Sequence, residues 1–158
     1  MRAVVLERPG QFSVMETPPV GKPKTGEATV LVKTIGICGT DLRAFGGNQP
    51  FFQYPRFLGH ELGVEILGAG ASEKGLPPGD QCAVEPYLSC GHCSACKRGK
   101  TNCCKKLRLL GVHIDGGMLG ALTVPSSKLH KSEGLSPDQL ALVETLSVGA
   151  HAVRRAIR

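Results

Sequence analysis

Cys90, Cys93, Cys96 and Cys104 follow the pattern C-x2-C-x2-C-x7-C, and no other feature constrains the chain so tightly. The stretch that carries them, residues 89–105, is built from cysteine, glycine and lysine with almost nothing apolar to bury, so it has no core of its own to order it. Thiolates two residues apart converge on one ion when the backbone between them turns tightly, and Gly91 and Gly99 permit that. Zinc in a structural site takes four such ligands in a closed tetrahedron. A zinc tetrathiolate carries a net charge of about −2, which the neighbours Lys97, Arg98, Lys100, Lys105 and Lys106 offset. Spacing does not decide between Cys103 and Cys104 as the fourth ligand. Cys104 is taken as the ligand and Cys103 as a spare thiol, giving a structural-zinc lobe over about residues 88–106.

The chain holds seven cysteines, an odd number at uneven spacing, and this fits metal ligation better than a disulfide framework. The opening Met1-Arg2-Ala3-Val4-Val5-Leu6-Glu7 turns charged too soon for a secretion signal, so the expected compartment is the cytoplasm. Cys82, inside a strand pattern, reads as a core cysteine. No apolar run approaches the ~20 residues of a membrane span, and no membrane partner is expected. The net charge of +6 raises the question of nucleic acid. Its basic residues, however, gather at 97–108 and at 154–158 with no interleaved aromatics to stack bases, so nucleic acid is not an expected partner either.

A length of 158 residues suits one compact domain. Plentiful Gly (21) and Pro (11) with 4% aromatics favour short strands joined by turns over a helical bundle. Strands are expected at 3–6 and 12–15 around Arg8-Pro9-Gly10, at 27–37, at 62–67, at 81–85 and at 118–124, with a helical turn at 41–45. A helix is expected to start at Ser136-Pro137-Asp138-Gln139, where Ser136 caps, Pro137 suits the first helical position and Gln139 closes a capping box. That helix is expected to break near Gly149, with a second segment from His151 to Arg158.

A second constellation is weak residue by residue. Cys38 ends a strand in Cys38-Gly39-Thr40-Asp41, His60 and Glu61 follow Gly59, and Glu144 sits on the late helix. Each alone reads as packing or surface. Together with the cysteine lobe, with Gly99-Lys100-Thr101-Asn102 and with Gly79-Asp80 leading to Glu85-Pro86, they stand in the order of the zinc-containing medium-chain alcohol dehydrogenases. The chain resembles that family over essentially its whole length.

The resemblance implies a mostly β, α+β fold: a GroES-like, partly open β-barrel with a projecting zinc lobe, spanning 1–158 as the catalytic domain. It implies two zinc ions per chain, one structural and one catalytic. Cys38 and His60 map onto the catalytic ligands, Glu61 onto the adjoining inner- or outer-shell carboxylate, and Glu144 onto the third protein ligand. Glutamate at 144, followed by Leu146-Ser147-Val148-Gly149-Ala150-His151-Ala152, looks like the polyol (sorbitol-type) dehydrogenase branch. The implied substrate is a small alcohol or polyol, oxidised to a carbonyl by hydride transfer to NAD or NADP. Three protein ligands leave a fourth position where an alcohol oxygen loses its proton near neutral pH. Thr40 is placed to carry that proton, and Asp41 to hold the far nitrogen of His60. The family implies a homo-dimer or homo-tetramer.

Departures from the family pattern are specific. Arg43 stands where some members place a histidine of the proton relay. It cannot act as a base, and it either binds a cofactor phosphate or lies on the surface. Gly63 comes one position early after Gly59-His60-Glu61, and Met118-Leu119-Gly120 replaces a common acidic–aromatic pair. The pocket wall is expected to include Phe51, Phe52, Phe57 and Leu109. No G-x-G-x-x-G occurs, so the Rossmann cofactor domain is expected beyond Arg158 as part of a longer parent, with this piece inactive alone. The alternative from a different class is a stand-alone, non-catalytic zinc-binding or interaction module on the same fold.

Overall fold

The structure is a computed structural model describing residues 1–50, 52–71 and 75–157, so Phe51 and Arg158 of the readings above lie outside the described residues. Strand β1 (Arg2–Arg8) turns back into β2 (Gln11–Glu16) through Pro9-Gly10, where Gly10 has a positive φ. The short β4 (Arg56–Phe57) joins the other edge of β1. The main sheet is built on β3 (Glu27–Gly36) and β5 (Glu61–Ala69), with β6 (Gln81–Val84), β9 (Ala121–Pro125) and β10 (Leu129–Lys131) in the order β10-β6-β5-β3-β9, all antiparallel. A third sheet pairs β7 (Tyr87–Leu88) with β8 (Arg108–Leu109) and ties together the two ends of the cysteine lobe. Among the described residues the three sheets do not close into a barrel.

β-Branched and aliphatic residues of the main sheet supply its core, in which Val30, Val64, Ile66, Val84 and Val124 are almost fully buried. Cys82 is buried there as well, as a small apolar side chain. A smaller core gathers Leu6, Ala44, Phe52, Leu58 and Val112, with Leu109 against it. Phe52 and Leu109 are therefore packing residues, and Phe52 meets Tyr54 edge-on at 4.8 Å.

Three helices complete the fold: α1 (Gly39–Phe45), α2 (Ser94–Lys97) and α3 (Pro137–Ala156). The start of α3 is the capping box its sequence spells, with the Ser136 hydroxyl accepting from the Gln139 N–H and the Gln139 side chain accepting from the Ser136 N–H. The expected break near Gly149 does not occur; α3 runs unbroken to Ala156. One glycine lowers helix propensity by only about 1 kcal/mol, and the helical residues on either side outweigh it. The cysteine lobe is not all loop, since α2 and a 3-10 turn at Thr101–Cys103 sit inside it. No described helix is long and apolar enough to cross a membrane.

Candidate metal centres

The register between β3 and β5 creates the first centre. Gly36, the last residue of β3, pairs with Glu61, the first of β5. Cys38 lies two residues past one strand end and His60 one residue before the other, so both emerge at the same end of the sheet. The register shifts between Val32 and Thr34, leaving Lys33 without a partner opposite Gly63 and Val64. Gly63, one place early in the family pattern, sits where β5 passes beneath the start of α3. A Cβ there would lie 2.1 Å from the carbonyl oxygen of Pro137.

Backbone contacts fix the approach to His60. Gly59 has φ +92°, and Gly116 packs so closely that a Cβ on it would lie 2.2 Å from the Gly59 oxygen. Gly117 and Met118 donate their N–H groups to Gly59 O and Leu58 O, each at 2.8 Å. The Met118 substitution thus leaves this clamp intact, because the clamp is made by backbone.

Cys38, His60 and Glu61 each offer a ligand atom, and these atoms lie within 4.8 Å of one another. His60 and Glu61 are buried and Cys38 is half-buried. Asp41 closes the first turn of α1, its Oδ2 accepting from the Cys38 N–H at 2.9 Å. Its Oδ1 faces His60 Nδ1 at 3.8 Å, and both atoms are buried without a hydrogen-bond partner among the described residues. A buried pair of this kind suits an imidazole whose other nitrogen is directed at a ligand. Thr40 is half-buried in the first turn of α1, while Arg43 is exposed near its end.

Glu144 is not in that group. Its Oε1 accepts from the Tyr87 hydroxyl at 2.7 Å. Burial, together with this hydrogen bond to a carboxylate, pushes the Tyr87 phenol well above its ordinary value. Its neighbour Thr145 instead donates to Glu61 Oε1 at 2.9 Å. Tyr87, Thr145 and Gly36 escape a sequence reading, since none carries a metal-ligand signature. Beside Tyr87 and Glu144 opens a cleft of about 430 Å³, lined by Glu85, His130, Ser147 and His151 among others.

The second group is Cys90, Cys93, Cys96 and Cys104, with ligand atoms again within 4.8 Å of one another. Sulfurs bound to one zinc at ~2.3 Å lie about 3.8 Å apart. The Cys93–Cys96 and Cys90–Cys96 sulfur separations are 3.5 and 4.0 Å. The lobe's backbone points N–H groups at sulfur. The Cys96 N–H, above all, lowers the Cys93 thiol to about 6. Burial, with the Cys93 sulfur beside it, raises Cys96 to about 11. Cys104 accepts from the N–H groups of Cys90 and Lys106, both at 3.3 Å, and the first of these does most to lower its thiol. Cys103 is exposed.

Comparison with known proteins identifies the family of the chain. The family described as alcohol dehydrogenase GroES-like domain matches residues 24–134. L-galactonate-5-dehydrogenase of Escherichia coli is 46% identical over 156 residues, which are 99% of this chain and 46% of that protein. Sorbitol dehydrogenase of Bacillus subtilis is 34% identical over 161 residues, 98% of this chain and 45% of that protein. A structure of an Escherichia coli alcohol dehydrogenase (rspB) complexed with cofactor NADH superposes with a TM-score of 0.85 at 36% identity, over 95% of this chain and 44% of that one. The chain thus spans a little under half the length of the curated relatives it matches.

Proposed function

The chain belongs to the alcohol dehydrogenase GroES-like domain family, and from that premise we propose that it is the zinc- and substrate-binding part of an NAD(P)-dependent alcohol or polyol dehydrogenase. Its reaction converts a secondary alcohol to a carbonyl, the carbon giving hydride to the nicotinamide and the hydroxyl giving up a proton. The observation that carries this reading is the convergence of Cys38, His60 and Glu61 at one sheet end. The donor set fits zinc: one sulfur, one imidazole nitrogen and one carboxylate oxygen, a borderline mixture that leaves a coordination position open. The four-sulfur group of the lobe fits a closed structural zinc equally well.

Cys38, His60 and Glu61 would hold the zinc, which when bound would supply a Lewis acid to lower the pKa of an alcohol toward neutrality. The rest falls to the chain's own groups. Asp41 would accept a hydrogen bond from the Nδ1–H of His60, which fixes the imidazole tautomer and leaves Nε2 free to face the metal. Thr40, two residues past Cys38, receives the substrate's hydroxyl proton and passes it outward. Glu144 stays close by on Tyr87 as a second carboxylate. Arg43, exposed on α1, would be the residue to meet a phosphate of the nicotinamide cofactor.

Native mass spectrometry of protein purified without chelator tests the metal count, and polyol oxidation with NAD or NADP by the whole enzyme tests the reaction. Two zincs per chain are expected. One zinc, retained by the lobe, would overturn the open site; none would overturn the reading altogether.

A further inference from the structure

Glu61 stands among the candidate ligands and Glu144 does not, and two hydroxyl groups treat these two carboxylates differently. Thr145 donates to Glu61 Oε1 at 2.9 Å. The other oxygen, Oε2, lies over Gly36, where a Cβ would approach it to 2.2 Å. Glu61 is thereby held through Oε1, with room for Oε2 only because residue 36 is glycine. Glu144, one residue before Thr145 on α3, is turned about 100° around the helix axis from it and is held by the Tyr87 hydroxyl at 2.7 Å.

The start of the helix is seated in a way that favours these assignments. The Pro137 carbonyl rests on Gly63 with no room for a Cβ between them. Asp138 Oδ1 accepts from Thr34 Oγ1 at 2.8 Å, and Leu140 and Ala141 are buried. One end of α3 is thus locked over β3 and β5, which sets Thr145 above Glu61 and Glu144 above Tyr87.

We propose that Thr145 and Tyr87 sort the two carboxylates of the metal site: Thr145 positions Glu61 as a ligand beside Cys38 and His60, and Tyr87 holds Glu144 out of the ligand set. This rests on the reading of Cys38, His60 and Glu61 as a metal site. Both hydroxyl residues are positioning residues, acting on the metal only through the carboxylate each one holds.

Cadmium NMR on the protein loaded with cadmium separates the two sites, because an all-sulfur environment and a mixed sulfur–nitrogen–oxygen one give distinct resonances. The lobe resonance serves as an internal control for folding. Thr145→Val keeps the shape and removes the donor; it is expected to shift the open-site resonance and weaken cadmium there about tenfold or more, with Thr145→Ser restoring both. Glu61→Gln is expected to move the open-site resonance and Glu144→Gln to leave it in place. Tyr87→Phe frees Glu144 and is expected to shift that resonance in a way the double variant Tyr87→Phe/Glu144→Gln abolishes. Two resonances with Thr145→Val unchanged, or Glu144→Gln acting as Glu61→Gln does, would overturn the sorting alone. A single resonance in the unaltered protein would overturn the metal reading and the sorting with it.

Discussion

His60 and Asp41 face each other through Nδ1 and Oδ1 at 3.8 Å, and both side chains are shielded from water. That separation is longer than a hydrogen bond, and neither atom has another partner among the described residues. Unpaired buried polar atoms cost about 1–3 kcal/mol each, which favours closing of this pair. Asp41→Asn retains an oxygen for the Cys38 N–H but loses the negative charge that holds the imidazole proton. We expect metal retention at the open site to fall by about 10–100-fold, measured by competition with a chromophoric chelator. Retention equal to the unaltered protein would detach Asp41 from the metal.

The lobe has little packing to hold it, since of its four candidate ligand cysteines only Cys104 is buried. Cys93→Ser is expected to remove one zinc equivalent and lower the melting temperature while the open site keeps its metal. Unchanged zinc content and melting temperature would refute a structural zinc here.

Where β5 meets α3, Gly63 leaves 2.1 Å between a Cβ position and the Pro137 oxygen, both on backbone that cannot yield cheaply. Gly63→Ala is expected to destabilise by about 1–3 kcal/mol, as overpacking does. It should also weaken the open site, because lifting α3 pulls Thr145 from Glu61. Thermal melts and cadmium titration together check this; a loss of stability with no loss of metal binding would separate the helix seat from the site.

The Ser136 cap makes a smaller prediction. Ser136→Ala removes the acceptor of the Gln139 N–H, and we expect about 1 kcal/mol of destabilisation in urea unfolding. Ser136→Asp, which keeps an acceptor and adds charge at the helix start, should restore it.

Much of this was legible in sequence because it is local. The spacing of Cys90, Cys93, Cys96 and Cys104 announces a shared ion, as ligands a few residues apart need only a turn to converge. Ser136, Pro137 and Gln139 spell a helix start through contacts confined to one turn. The strand patterns of 27–37 and 62–67 are likewise read from alternation, and Cys38 and His60 fall at their ends. The unbroken course of α3 through Gly149 was missed, since the weak local preference of one glycine yields to its neighbours.

Tertiary structure decided which side chains share a site. Only the pairing of Gly36 with Glu61 brings Cys38 and His60 to one end of the sheet. Only the seat of α3 on Gly63 turns Thr145 toward Glu61 and Glu144 toward Tyr87. Sequence order shows that two glutamates exist. It cannot show which one lies beside Cys38 and His60, because that depends on the rotation of a helix set by packing against strands some eighty residues away in the chain, the Thr145–Glu61 contact itself spanning 84.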